Sequence, residues 1–359
     1  MTESLPHPYL SRLSRWKIII FLLVITLILV ILVTISVGSM QISLNNVYTI
    51  LVKNIPIIGD FIKADTNLIE TEIVLQIRLP RVIAAAIVGV ALTAAGVVLQ
   101  GLLRNPMADP YVLGISAGAS LGASLAIGFG LGATVIGFLY AVPLMAFIGA
   151  LGTIFVVYNV AKRGGGASML TLLLIGIAAS SFLSAIVSLI KLVSADALHG
   201  IIYWIMGSLQ VAGWNHVIIA APLIFGGLVV IFYFARDMNM ISLGETQAQH
   251  LGVDAEKLKT RMLICVSLIT AAAVSISGII GFIGLIIPHI TRILVGPDHR
   301  ILIPTSSLLG AIVLILCDTM ARMLMSPAEI PVGIITSILG CPFFVYLLLN
   351  RRRSIGNWS

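Results

Sequence analysis

Charge is scarce in this sequence: 10% of its 359 residues are Asp, Glu, Lys or Arg, against about 25% in a soluble domain. Hydrophobic residues make up 59% and mean hydropathy is +1.12. So little polar surface does not cover a chain of this size in water, which excludes an ordinary soluble domain and makes the bilayer its solvent. Cysteine is also sparse. Cys265, Cys317 and Cys341 sit in apolar runs without metal-type spacing, and read as small core residues rather than a disulfide or zinc site. The six histidines share no ligand spacing and no H-E-x-x-H occurs, so no metal site is expected. The phosphate loop G-x-x-x-x-G-K-[ST] is missing too. Lys259-Thr260 lacks the preceding glycines, and the chain is expected to bind no nucleotide of its own. The apolar segments hold no series of acidic residues of the kind a proton-coupled carrier uses. If the chain transports, its energy enters from another subunit.

What is present is a succession of long apolar runs. The first, from Ile18 to Val37, follows Arg12, Arg15 and Lys17 and exceeds the roughly 7–15 residues of a signal-peptide core, so it reads as a retained helix. Others follow at about 80 to 103, 111 to 127, 135 to 161, 168 to 190, 214 to 235, 260 to 282, 284 to 297, 301 to 323 and 331 to 350. A transmembrane helix takes about 20 residues, so these are ten candidate spans in one all-α polytopic domain from 18 to 350, with tails at 1–17 and 351–359. The eighth is interrupted by Pro288, His289 and Arg292 and reads as a half-helix lining a polar cavity.

The net charge of +7 does not point to nucleic acid, because the basic residues lie between spans in ones to threes. That pattern sets membrane orientation. With a cytoplasmic N-terminus, ten crossings put Arg12, Arg15, Lys17, Arg104, Lys162, Arg163, Arg236, Lys257, Lys259, Arg261, Arg292, Arg300 and Arg351 to Arg353 inside. Lys53, Lys63, Arg78, Arg81, Lys191 and Arg322 fall outside. Fifteen against six supports this orientation, with both termini cytoplasmic. It leaves Arg78, Arg81 and Arg322 as outward cations that topology alone does not require. Asp318 and Arg322 are four apart, so an intrahelical pair and an arginine awaiting a partner are both open.

Two polar connections are long. The outer one, 38 to 79, carries Leu44, Val47 and Leu51 at helical spacing, an expected interfacial helix. In the inner one, Ser242-Leu-Gly-Glu245 has capping-box spacing and Gly252 is suited to end the helix it starts. A helix that short is marginal alone and is expected to dock on something. Gly114, Gly118, Gly122 and Ala126 recur every four residues, a groove for close helix approach. The same stretch contains Gly114-Ile-Ser116-Ala-Gly118, which matches the nucleophile elbow of hydrolases; an intramembrane serine hydrolase using Ser116 is a distant alternative, since the elbow needs a strand, a sharp turn and a helix. Asp109 and Pro110 suit the N-cap and first position of the third span. Asn105 before them is either part of a capped turn or a contributor to a polar passage.

Taken together, several motifs resemble the FecCD type of ABC transporter permeases, which includes vitamin B12 and iron(III)-siderophore permeases. They are Arg78-Leu-Pro-Arg81, Gln100-Gly-Leu-Leu-Arg-Asn-Pro-Met-Ala-Asp-Pro110 with Leu113-Gly-Ile-Ser-Ala-Gly118, Tyr203-Trp-Ile-Met-Gly-Ser208, Ala248-Gln-His-Leu-Gly252, Gly281-Phe-Ile-Gly-Leu-Ile-Ile-Pro-His289, Asp298-His-Arg300 and Glu329-Ile-Pro-Val-Gly333. The resemblance implies a type II ABC importer fold like that of the B12 permease, paired with a second permease subunit, identical or paralogous. It further implies two cytoplasmic ATPase subunits, which use ATP and Mg while this chain binds no cofactor, and an extracytoplasmic substrate-binding lipoprotein. It places the chain in the cytoplasmic membrane of a prokaryote as a non-enzymatic transport subunit. By resemblance Arg78, Arg81 and Arg322 receive glutamates of the binding protein. A coupling helix at about 242–253 seats Glu245, Ala248, Leu251 and Gly252 in the ATPase cleft. A cytoplasmic gate falls near Gly164-Gly-Gly-Ala-Ser168, where Ser168 and Thr171 are the pathway candidates beside Asn105. The expected cargo is an iron(III)-siderophore complex, with cobalamin as main rival and haem as a further one.

Overall fold

The computed structural model describes residues 7–38, 40–55, 67–131, 134, 140–163 and 169–351. Lys63, Ser168, the 164–168 turn, Arg352 and Arg353 lie outside the described residues. Within hydrocarbon a segment must satisfy its own backbone N–H and C=O groups, which leaves the helix as the spanning solution for an open chain. In order, the helices are α1 (His7–Ser36), α2 (Leu44–Lys53), α3 (Leu68–Glu72), α4 (Leu79–Leu102), α5 (Ile115–Gly128), α6 (Val142–Arg163), α7 (Met169–Val193) and α8 (Leu198–Ile205). Then come α9 (Trp214–Tyr233), α10 (Ala235–Leu243), α11 (Glu245–His250), α12 (Ala255–Ser277), α13 (Ile283–Val295), α14 (His299–Met323) and α15 (Val332–Arg351). No strand occurs among the described residues.

Seven of these stretches are long and apolar enough to cross a bilayer, and α5, α13 and α15 are shorter apolar helices. Among the described residues, ten apolar helices therefore stand at the ten expected spans. Large apolar side chains such as Phe21, Leu29, Phe155, Leu174, Phe182 and Val229 are exposed on the outside of the bundle, a surface that only lipid or another subunit tolerates. The chain is a multi-pass membrane protein. Its first helix starts at His7, so Arg12, Arg15 and Lys17 ride on α1 rather than on a separate tail.

The bundle is built around α4, which is buried along nearly its whole length. It packs against α14, α12 and α13, and small residues set the distances. A Cβ at Gly89 would overlap the Gly310 carbonyl of α14, and one at Gly96 would overlap the Gly284 carbonyl of α13. Gly96→Val is expected to force α4 and α13 apart at a cost of about 3 kcal/mol. The detergent-solubilised protein should lose its sharp thermal transition and its monodisperse elution; an unchanged transition would contradict this packing. The groove on α5 is as expected: a Cβ on Gly118 or Gly122 would meet the Gly149 or Met145 carbonyl of α6, and Ala126 is buried.

The structure corrects several local readings. Gly114 is not part of α5. It closes a 3-10 turn (Pro110–Leu113) with φ of 87°, and Asp109 caps that turn by accepting from Tyr111 N. Ser116 therefore follows a 3-10 turn and not a strand, which removes the strand–turn–helix context a hydrolase elbow requires. In α2 the buried residues are Val47 and Ile50, whereas Leu44 is exposed. Cys341 is exposed on α15 rather than in the core.

Two helices are half-length. α5 has 14 residues and α13 has 13, about 20 Å each, against a hydrocarbon core of about 30 Å. Both begin inside the bundle. The irregular segments before them meet there, with Tyr111 Oη donating to Ile280 O at 3.0 Å and accepting from Ile280 N at 3.2 Å. Non-helical backbone is thus satisfied within protein. The eighth span is short, but not by interruption: α13 runs through Pro288, His289 and Arg292, and it is bounded by Phe282 at φ 67° and Gly296 at φ 89°.

Candidate functional site

Polar side chains gather at the two ends of α4 and α14, helices of 24 and 25 residues, so the two clusters are about 35 Å apart. At one end stand Arg78, Arg81 and Arg322. Arg78 is the last residue of a π-helical turn (Ile73–Arg78) that joins α3 to α4, and its guanidinium donates to the carbonyls of Ile35 and Ser36 at the end of α1 and of Met40 just beyond it. Arg81 donates from Nε and Nη2 to Asp318 of α14 at 2.9 to 3.2 Å and from Nη1 to Glu329 at 2.8 Å. Arg322 pairs with Asp318 at 3.4 Å and donates to Thr319 Oγ1 and the carbonyls of Thr34 and Val37.

These arginines are 5 to 8% exposed. They are brought together at one end of the bundle, but they are not free cations. Of the two readings of Arg322, the intrahelical pair with Asp318 is the one present. Two of the guanidinium groups, those of Arg81 and Arg322, face the carboxylates of Asp318 and Glu329, and Glu329, with its side chain 25% exposed, is the member nearest solvent.

The opposite end holds the proposed coupling segment, and here the capping box is not formed. Ser242 belongs to α10 and donates to Asn239 O at 2.6 Å, because α10 already runs through it to Leu243. The break is Gly244, at φ 140° and ψ 145°, outside the regions an ordinary side chain favours. Six residues of α11 follow, and Gly252 at φ 86° ends them, as read from sequence. Ala248 faces inward and is fully buried, while Leu251 is 60% exposed. Glu245 reaches Lys259 of α12 at 2.6 Å.

Behind α11 lies a second polar cluster. Asn239 of α10 donates to Asp298 Oδ1 at 2.8 Å and accepts from His299 N at 2.8 Å, where α14 begins. Burial alone raises the Asp298 pKa, but hydrogen bonds from Arg300 and Asn239 outweigh it and hold the carboxyl at about 2. Arg300 also lies over the Trp16 ring at 5.7 Å, which fixes the start of α1 to this end. Arg104, with φ of 47°, donates to Ile241 O at 2.7 Å. Arg292 donates to Gln100, whose amide in turn donates to Leu285 O, each at 3.0 Å.

The pathway candidates fare less well. Asn105 is exposed and accepts from Met107 N at 3.0 Å, a capped turn. Thr171 is half-buried in the first turn of α7, 66 positions along the chain from Asn105. A cavity of about 320 Å³ lies instead near the Arg81 end, lined among others by His199, Tyr203, Trp204, Gln210, His216 and Ser277. Sequence patterning does not single out these residues as a group, because α8 is a short helix in a connection. Its position is set by Ser208 N donating to Ser277 O at 2.8 Å and Gly333 N donating to Gly207 O at 3.2 Å. Two of the quoted motifs, those at 203–208 and 329–333, thus meet at one packing junction beside the end of α12.

Residues 25–350 match the FecCD transport family. The chain is 46% identical over 279 residues to the cobalamin import system permease protein of Halobacterium salinarum, covering 78% of this chain and 74% of that one. It is 42% identical over 288 residues to the hemin transport system permease protein of Yersinia pestis, covering 80% and 86%. A solved structure described as a metal-chelate type ABC transporter in an inward-facing conformation is similar with a TM-score of 0.81 at 32% identity, over 93% of this chain and 99% of that one.

Proposed function

Because the chain belongs to the FecCD transport family and is an ABC importer permease, we propose that it carries iron(III)-siderophore complexes across the cytoplasmic membrane of a prokaryote. The observation that carries the transport reading is α11. A six-residue helix hung between Gly244 and Gly252 with Leu251 exposed suits insertion into another subunit, and the chain has no phosphate loop of its own. ATP and Mg are used in the partner ATPase subunits, and Ala248 supports the face of α11 that carries Glu245, Leu251 and Gly252 to them. The Glu245 end is then cytoplasmic, together with both termini, and residues 18–350 form one permease domain.

The Arg81 end faces outward and receives the extracytoplasmic binding protein. Its arginines are buried, so docking works through exchange rather than through free cations. Arg81 Nη1 is held by Glu329, a quarter of whose side chain is exposed, and an arriving carboxylate competes for that nitrogen in the bidentate geometry guanidinium favours. Such rim pairs chiefly set on-rate and register. A second permease subunit, a copy or a paralogue, covers exposed apolar surface and closes the passage.

The cargo rests on chemistry shared by three of the relatives: their names specify cobalamin, hemin and a metal chelate, each a metal held in an organic ligand. Iron(III)-siderophores are the members of that class proposed for this chain. Uptake of radiolabelled iron(III)-hydroxamate, cobalamin and haemin by a deletion strain separates the candidates. Loss of iron uptake, restored by the gene, is expected; loss of cobalamin or haemin uptake with iron uptake unchanged would reassign the cargo.

A further inference from the structure

α10 makes side-chain hydrogen bonds or accepts them at two separate helices, and both of those helices run to the arginine cluster. Asn239 takes hold of α14 through three contacts at its first residues: Asp298 Oδ1, His299 N and His299 Nδ1, each at 2.8 Å. The Ile241 carbonyl, two residues on, accepts from Arg104 just past the end of α4 at 2.7 Å. With Asn239 Oδ1 as acceptor, His299 Nδ1 is the protonated nitrogen. Its Nε2 is buried without a hydrogen-bond partner among the described residues and faces Gly101 of α4, so the imidazole is wedged between the two helices.

At the far end α4 and α14 are joined again by Arg81 and Asp318, and midway Gly89 and Gly310 bring their backbones into contact. The pair is therefore tied at both ends and packed between. Pro304 interrupts the α14 ladder one turn beyond Asn239's hold, which makes the first turn of α14 the place where a pull from α10 enters. The Glu245–Lys259 pair offers α11 another attachment, to α12, but Glu245 is 55% exposed and an exposed pair contributes little.

We infer that Asn239 is the positioning residue that passes movement of α11 to α4 and α14, so that the nucleotide state of the ATPase sets the geometry of the arginine cluster. This rests on the assignment of α11 as the coupling helix. Asn239 touches neither ATPase nor cargo. Its part is to couple two ends that are about 35 Å apart, and coupling of this kind needs an element both sites bias, here the α4–α14 pair.

The test uses the full complex of permease and ATPase subunits in lipid nanodiscs. An environment-sensitive fluorophore is placed on Met323→Cys, an exposed position beside Arg322, with Cys265, Cys317 and Cys341 replaced. ATP with vanadate is the probe. The unaltered complex should change its emission on trapping. Asn239→Leu should reduce that change at least fivefold while ATP turnover stays within twofold. The exchange Asn239→Asp with Asp298→Asn, which reverses the donor and acceptor but keeps the bond, should restore it. A merely structural role would lower turnover and signal together and would not be rescued in signal alone. A full emission change in Asn239→Leu overturns the inference. If that variant fails to assemble, Arg104→Met decides, since it releases the other hold: a reduced change supports the inference and a full one overturns it. No change in the unaltered complex would sink the coupling-helix assignment itself, and the inference with it.

Discussion

Asp318→Ala is expected to destabilise the permease by about 3–5 kcal/mol, the usual cost of removing one partner from a buried ion pair. Asp318 is 1% exposed and lies between Arg81 and Arg322. Without it, two guanidinium groups keep their charge in a site that excludes water, with Glu329 as the remaining carboxylate. The α4–α14 tie at that end is lost at the same time. The midpoint of thermal unfolding in detergent should fall steeply, and binding-protein docking should fall with it. Asp318→Ala combined with Arg81→Met removes one charge of each sign, and replacing a whole buried pair by apolar residues is often neutral or stabilising. The double variant should therefore recover most of the midpoint but not the docking. Equal losses in both variants would mean that shape rather than charge holds the cluster.

The second large effect is expected at Leu251. Its side chain is 60% exposed, so Leu251→Arg should leave the fold and the yield unchanged. Placed in an ATPase cleft, however, leucine gains about 1.5–3 kcal/mol from burial, and an unpaired charge in its place is costly to desolvate. At about 1.4 kcal/mol per tenfold, cargo-stimulated ATP hydrolysis should drop at least tenfold and uptake should reach background. Basal hydrolysis by the ATPase subunits should remain. Normal stimulated hydrolysis in this variant would remove α11 from the interface.

Much of this architecture is legible in the amino-acid sequence because a bilayer demands runs of about 20 apolar residues, and such runs are local. The ends of the helices and the sorting of cations between them follow from the same patterning. The misreadings arise where a distant residue decides. Arg81 looks like a free outward cation until Asp318 and Glu329 are brought to it from 237 and 248 positions away. Ser242 has the spacing of a cap, yet α10 is already helical upstream and carries through it, leaving Gly244 as the break. Asp109 does cap, but what it caps is a 3-10 turn, because Tyr111 must turn toward Ile280 at the junction of two half-helices. Asn239 carries no pattern at all. Its partners follow it by 59 and 60 positions, and only the fold shows that α10 grips α14.

In the proposed mechanism, transport is driven by ATP in another subunit and coupled through α11 to a passage whose cargo arrives at the Arg81 end. The most direct test is uptake by proteoliposomes that hold the permease with its ATPase subunits, with the binding protein and iron(III)-hydroxamate outside and ATP inside. Accumulation should require ATP and binding protein together, persist when the proton gradient is collapsed, and vanish in Leu251→Arg. Accumulation driven by a proton gradient without ATP would contradict the account.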